Sequence, residues 1–232
     1  MSCITQDFAE KGRRMRVVYI VFFVVMFGFA MSVFATETVF DHPITKNSLS
    51  PELTELSRQI GRFQSLRSDF VQTKKISVLK FPLITKGNFL YAADYGVFWK
   101  INTPFEAEIV ITSAGYFERK NGEMLAATPA GAKAQIQSYL NAFLLLFSGR
   151  FDELQKFFTL SFLQSGNDWD VGLTPRGGLA KVIQHIQLSG SVTARVNKLS
   201  IKEVNGDFTK IQFHDTVYST KALSESEQKL FQ

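Results

Sequence analysis

Leu53, Leu56, Ile60 and Phe63 recur every three or four residues, a spacing that predicts one amphipathic helix over 53–63. Ser50 supplies its cap, and Pro51 sits in the first turn, where no amide donor is needed. Such a stripe packs on a core or serves as a movable cover over a pocket. From Leu66 the period changes to two. LRSDFVQTKK, TKGNFLYAA, GVFWKI, FEAEIVITSA and GYFERK read as successive short strands, and Asn121 followed by Gly122 predicts a tight hairpin turn. No helical pattern interrupts them, which argues for antiparallel pairing and against a doubly wound parallel sheet.

Helical spacing returns between Ala130 and Phe158. AKAQIQSYLNAFLLLFSG predicts a helix stopped at Gly149, and FDELQKFF a second, short one. Within the first, LNAFLLLF is apolar on almost every side, so it is buried all round, lies against an apolar space, or is covered by another element. TLSFLQSG, DWDVGLTP, VIQHIQLSG, RVNKLSIKEV and FTKIQFHD then read as strands, with a turn at Asn205, Gly206 and Asp207. A helix over 224–231 closes the chain. No repeat, low-complexity tract or long linker divides it. The pattern predicts one α+β domain over 51–232, a strongly curved antiparallel sheet with its helices gathered on one side, preceded by a polar lead-in over 36–50.

The N-terminus changes the picture. Lys11, Arg13, Arg14 and Arg16 precede VVYIVFFVVMFGFAMSVFA, and small residues at Val33 and Ala35 precede the return to polar sequence at Thr36. These are the three parts of a secretory leader, cut after Ala35, with Met15 an alternative start. The alternative is a retained membrane anchor, since ~20 apolar residues span a bilayer. Loss of residues 1–35 would remove four of 26 basic and two of 21 acidic residues, lowering the formal charge from +5 to +3. It would also remove Cys3, the chain's single cysteine, so disulfide and thiol chemistry are not expected, nor is a lipid-modified cysteine at the cut. There is no dense Lys/Arg run, and nucleic acid is not an expected partner.

Chemistry-bearing patterns are few. G-x-S-x-G is absent, as are G-x-G-x-x-G and a P-loop lysine, and no cofactor is expected. His42, His185 and His214 are scattered, so no metal site is expected. Glu106 and Glu108, Asp168 and Asp170, and Glu225 and Glu227 are carboxylates two residues apart, which share a face in an extended strand. Such pairs suit acid and base work or simply form a solvated face; the expectation is a non-enzyme. Of 23 phenylalanines, six lie in the apolar leader, and the rest suit either a tight core or a concave apolar pocket.

Taken in order, SDFVQTK at 68–74, Pro82, Gly87, Phe89, GVFWKINTPF at 96–105 and EIVITSAG at 108–115 resemble the periplasmic outer-membrane lipoprotein carriers of the LolA type. FSGRFDELQKFF, WDVGLTPR, IKEVNGDFTKI and ALSESEQKLF extend the resemblance from Pro51 to the C-terminus. It implies an incomplete, half-open antiparallel β-barrel with an α-helical lid over its concave face. The acyl chains of a lipoprotein lie between sheet and lid in that family. The partners implied are the acylated cargo, an ATP-driven inner-membrane extractor and an outer-membrane receptor, with the carrier a periplasmic monomer.

By motif position, the concave-face candidates are Phe70, Phe89, Phe98, Trp99, Ile109 and Ile111, of which the half facing inward would touch acyl chains. The lid candidates are Leu53, Leu56, Ile60, Phe63, Leu140, Phe143, Leu144 and Phe147. Where studied carriers have an arginine that helps tie the lid, this chain has Ala93, Asp94 and Tyr95, within YAADYGVFW. That departure points to a branch with different cargo, such as a glycolipid or polyene lipid. A protein-docking module and a glycolipid hydrolase using Asp168 or Asp170 are the competing readings.

Overall fold

Among the described residues, eleven antiparallel strands hydrogen-bond in the linear order β6-β5-β4-β3-β2-β1-β11-β10-β9-β8-β7. The first meander comprises β1 (Ser65–Lys75), β2 (Leu83–Ala92), β3 (Gly96–Thr103), β4 (Ala107–Thr112), β5 (Gly115–Lys120) and β6 (Glu123–Ala126). The second comprises β7 (Phe158–Ser165), β8 (Asp168–Pro175), β9 (Ile183–Ser191), β10 (Arg195–Glu203) and β11 (Phe208–Ser219). This computed structural model describes residues 37–45, 49–120, 123–126, 133–191, 193 and 195–232. The leader predicted over 1–35 and the turn predicted at Asn121 and Gly122 lie outside the described residues, as does the side chain of Leu140.

The meanders meet where β1 pairs β11, with Phe70 opposite Phe213, and their outer edges, β6 and β7, end the ladder on either side. A twisted sheet this wide curls. Because β6 and β7 do not pair with each other, the result is an open, barrel-like α+β fold. The chain passes from one edge to the other through α2 (Lys133–Ser148) and α3 (Phe151–Leu154), while α1 (Pro51–Gly61) precedes β1.

Period-two alternation sorts β2, β3 and β4 onto two faces. Phe89, Trp99 and Ile109 are paired across the ladder and point one way; Leu90, Phe98 and Val110 are paired one residue along and point the other. The first row joins the main core with Leu53, Leu56 and Ile60 of α1 and Ala142, Leu145, Leu146 and Phe147 of α2. The second forms a smaller core with Leu223 and Phe231 of the C-terminal segment.

The terminal helix therefore does not join the others on one side. It shortens to α4 (Glu225–Gln228) and a 3-10 turn, Lys229–Phe231, on the opposite face. Ser224 caps it, and Glu227 accepts a hydrogen bond from the Ser224 amide while also pairing with Arg67 of β1. Phe231 stacks on Tyr95 with ring centroids 5.4 Å apart. Phe231→Ala is expected to cost about 3 kcal/mol by emptying this apolar cap. Urea unfolding followed by tryptophan fluorescence measures it, and an unchanged midpoint would show that the segment merely rests on the sheet.

All strands and both cores lie within one compact unit, Thr38–Gln232. Among the described residues, no helix is long and apolar enough to cross a membrane.

Candidate functional site

The site is built where α1 and α2 cover one face of the sheet. α1 begins as its sequence dictates: the Leu53 amide donates to Ser50 Oγ at 3.2 Å, with Pro51 in the first turn. Its stripe of Leu53, Leu56 and Ile60 is buried. Phe63 is a correction to the predicted helix, because α1 stops at Gly61. Phe63 follows in the link to β1, where its ring meets Tyr218 at 4.7 Å. Gly61 packs close to the Ser148 carbonyl of α2, so a residue without Cβ suits this crossing.

α2 ends at Gly149, whose φ of +73° is the left-handed stop that glycine adopts without strain. The Gly149 carbonyl accepts a hydrogen bond from Ser57 Oγ, tying the end of α2 to the middle of α1.

From α2, Phe147 reaches into a cluster of rings contributed by separate strands. Its centroid lies 4.9 Å from Phe89 of β2 and 6.0 Å from Phe213 of β11. Phe89 meets Trp99 of β3 at 5.2 Å, and Trp99 meets Phe70 of β1 at 4.5 Å. Phe70 and Trp99 stand two strands apart, and Gly87 lies opposite Phe70 on the intervening strand β2. A Cβ at Gly87 would come within 1.8 Å of the Lys100 carbonyl oxygen, so β2 and β3 approach there as closely as only glycine permits.

Of the predicted wall residues, Phe70, Phe89 and Trp99 are buried in this cluster, and Ile109 and Ile111 are half-buried against it. Phe98 is the correction: adjacent to Trp99 on an extended strand, it must take the other face, and it packs on Phe231's side. Of the predicted lid residues, Phe143 and Leu144 are half-buried against the same cluster, and Phe147 is buried within it. The sequence reading missed Tyr91 and Phe213. Both sit in stretches it assigned to strands, two residues from Phe89 and Ile211, so the alternation carried the signal once a facing was chosen.

Clefts flank this interface, two of them with distinct chemistry. One, of about 400 Å³, opens between the first turns of α1 and the β7–β8 edge, with Leu56, Phe162 and Trp169 among its walls. The other, of about 360 Å³, is polar, and gathers Tyr91, Asp94 and Tyr95 with Asn141 of α2 and the charged residues Arg150, Glu153 and Lys156. Arg150 pairs with Glu153. The stretch that lacks a strand arginine therefore faces an arginine brought by the segment between α2 and α3.

Burial pushes the Tyr91 and Tyr218 hydroxyls from 10.0 up to about 12, only partly opposed by Arg150 at Tyr91 and by the Val196 amide, which donates to Tyr218 at 2.7 Å. Between those pH values the folded protein keeps protons that the unfolded chain has lost, so stability falls as pH rises from 10 to about 12. Thermal melts across that window are expected to show a declining Tm in the parent and a shallower decline in Tyr218→Phe. Parallel declines would assign the alkaline loss to other groups.

One member of each carboxylate pair has structural employment. Glu108 sits 3.1 Å from Lys100 and 3.9 Å from Arg119. Asp170 accepts from Gln187 and Ser189, and Glu227 holds the α4 cap. His185 stacks on Phe40 at 4.3 Å, and burial lowers its pKa.

No family model and no curated protein matches this sequence. Among solved structures, a chain of the Pseudomonas aeruginosa MucA/MucB complex is similar with a TM-score of 0.45 and 13% identity; the match covers 76% of this chain and 60% of that one. A LolA superfamily protein from Nitrosomonas europaea is similar at a TM-score of 0.39 and 9% identity, covering 78% of this chain and 97% of that one. The Mycobacterium tuberculosis lipoprotein LppX is similar at 0.41 and 9%, covering 75% and 99%.

Proposed function

We propose that this chain is an exported, non-enzymatic carrier that shields the acyl chains of a lipoprotein or related lipid between its sheet and its helices. The observation that carries the reading is the aromatic seam closed by Phe147. One face of an open sheet is an apolar wall drawn from β1, β2, β3 and β11, and a helix outside the ladder covers it. Lifting α2 breaks no sheet hydrogen bond, because the helix lies outside the strand ladder.

The energetics suit such a carrier. Each CH₂ of an acyl chain is worth ~0.8 kcal/mol when removed from water, so a long chain needs a wall of comparable apolar area. The self-contacts of α2 with the sheet are what cargo would replace, and their return on unloading would drive release. Two states a few kcal/mol apart, biased by cargo, are sufficient.

The reading assigns residues 1–35 as a leader removed near Ala35, and the remainder as a monomeric periplasmic carrier loaded by an inner-membrane extractor and emptied by an outer-membrane receptor. The wall is assigned to Phe70, Phe89, Trp99, Ile109 and Ile111.

Mass spectrometry of an organic extract of the protein, purified from a bacterium that exports it, is expected to find acylated lipid or lipopeptide. Ile109→Asp is expected to cut uptake of a fluorescent fatty-acid probe about tenfold, placing a charge on the wall. An empty extract together with no probe uptake by the parent protein would overturn the proposal.

A further inference from the structure

One end of the sheet carries almost all of the exposed large apolar side chains. The β1–β2 connection and the start of β2 hold Val78, Leu79, Phe81, Leu83 and Ile84, with Val78 86% and Phe81 71% exposed. Strand pairing brings other turns to the same end. Lys86 lies opposite Thr103, which sets the β3–β4 turn with its exposed Phe105 alongside; Lys75 lies opposite Phe208, which does the same for the β10–β11 turn with Val204. The Val204 amide donates to the Val182 carbonyl at 3.0 Å, adding a third neighbour. Of the nine exposed large apolar residues among those described, only Val217 lies elsewhere.

Charge accompanies this end. From residue 74 to 86 the chain reads KKISVLKFPLITK, with lysines at 74, 75, 80 and 86 and no acidic residue. Two acidic groups of the β10–β11 turn are engaged with the hairpin, Glu203 pairing with Lys74 at 3.1 Å and Asp207 accepting from the Ser77 amide at 2.8 Å, while Glu106 beside Phe105 is exposed. Lys80 lies over the Phe81 ring, its ammonium 5.6 Å from the centroid, so the charge and the ring share the tip.

We infer that this end of the sheet docks onto an anionic lipid bilayer, with Leu79 and Phe81 entering the headgroup layer and Lys75, Lys80 and Lys86 meeting lipid phosphates. Apolar tips surrounded by lysines combine burial of apolar area with attraction to anionic lipid. Long lysine stems let apolar neighbours sink while the ammonium stays at headgroup level. The apolar residues come from several separate turns and make an uneven surface. A fluid headgroup layer takes up any such outline, whereas a protein partner needs a matching one. The inference stands on surface residues alone and does not rest on cargo being carried between sheet and helices.

The test uses the compact unit Thr38–Gln232 with sedimented vesicles, either pure phosphatidylcholine or an about equal mixture with phosphatidylglycerol. The parent is expected to sediment with the anionic vesicles and not the neutral ones, and to be released by salt. The double variant Leu79→Ser, Phe81→Ser is expected to bind about tenfold less while keeping the parent's melting temperature and its uptake of a fatty-acid probe. A Phe81→Trp variant localises the contact, since Trp99 and Trp169 are already buried. Its emission is expected to shift to the blue on anionic vesicles and to be quenched by brominated lipid.

Failure of the parent to sediment would overturn the inference. So would equal binding by the double variant, an unshifted Phe81→Trp emission, or a two-copy mass in light scattering that the double variant abolishes without vesicle binding.

Discussion

Phe147→Ala is expected to weaken the fold and, if the chain is the acyl carrier proposed above, to tighten acyl binding at the same time. The buried ring touches Phe89, Tyr91 and Phe213 on the sheet and Phe143 on its own helix. Truncation should cost about 3–5 kcal/mol against the unfolded chain. Only part of that cost distinguishes a closed α2 from a lifted one, because contacts within the helix survive the movement. If that part is about 1.4 kcal/mol, the lifted, cargo-competent state becomes about tenfold more populated and apparent affinity rises by the same factor. Titration with a fluorescent fatty acid and urea unfolding of the same sample read the two effects. If stability and affinity fall together, Phe147 is core and not part of a gate.

Gly87→Ala is expected to be severely destabilising for a change of one methyl group. The added Cβ meets backbone, the Lys100 carbonyl at 1.8 Å, and no rotamer change can relieve it. β2 and β3 must part at the register shift between Lys86 and Gly87, next to the position where Phe70 reaches Trp99. A loss of about 4 kcal/mol or more is expected, read as a lowered urea midpoint or as failure to accumulate folded protein. Gly166, whose built Cβ meets nothing within 4 Å, is the control site for spatial crowding; its φ of +58° makes asparagine the suitable replacement there. Equal midpoints for Gly87→Ala and the parent would mean the strands separate freely at that point.

These two sites show what was legible in the sequence. Element types were plain, because periods of two and of three to four residues are properties of neighbouring positions. Ser50, Pro51 and Gly149 marked helix ends through local chemistry that the structure repeats. Facing was harder. Phe98 and Trp99 are equally apolar, and only the return of Phe231 to the far side of β3 gives both of them burial. A strand with two covered faces loses the polar alternation that would have separated them.

Phe63 continued the apolar stripe of α1 by spacing alone, yet the helix gave way at Gly61 before reaching it. Residues 76–84 illustrate the converse. Their apolar content resembles a buried strand, and nothing local shows that a turn leaves Val78 and Phe81 in solvent. Pairing partners far along the chain decide such matters.

The pairing of β1 with β11 carries a consequence for how the protein is made. Ser68 Oγ donates to the His214 carbonyl at 2.7 Å, across 146 positions. The middle of the sheet is thus the most non-local part of the molecule, and closing so large a loop is entropically costly and slow. A ribosome releases β1 well before β11, with nine strands between them in chain order. Until then, one flank of β1 has no partner, and the aromatic seam lacks Phe213. The architecture defers the cooperative closure of the sheet until β11 reaches β1.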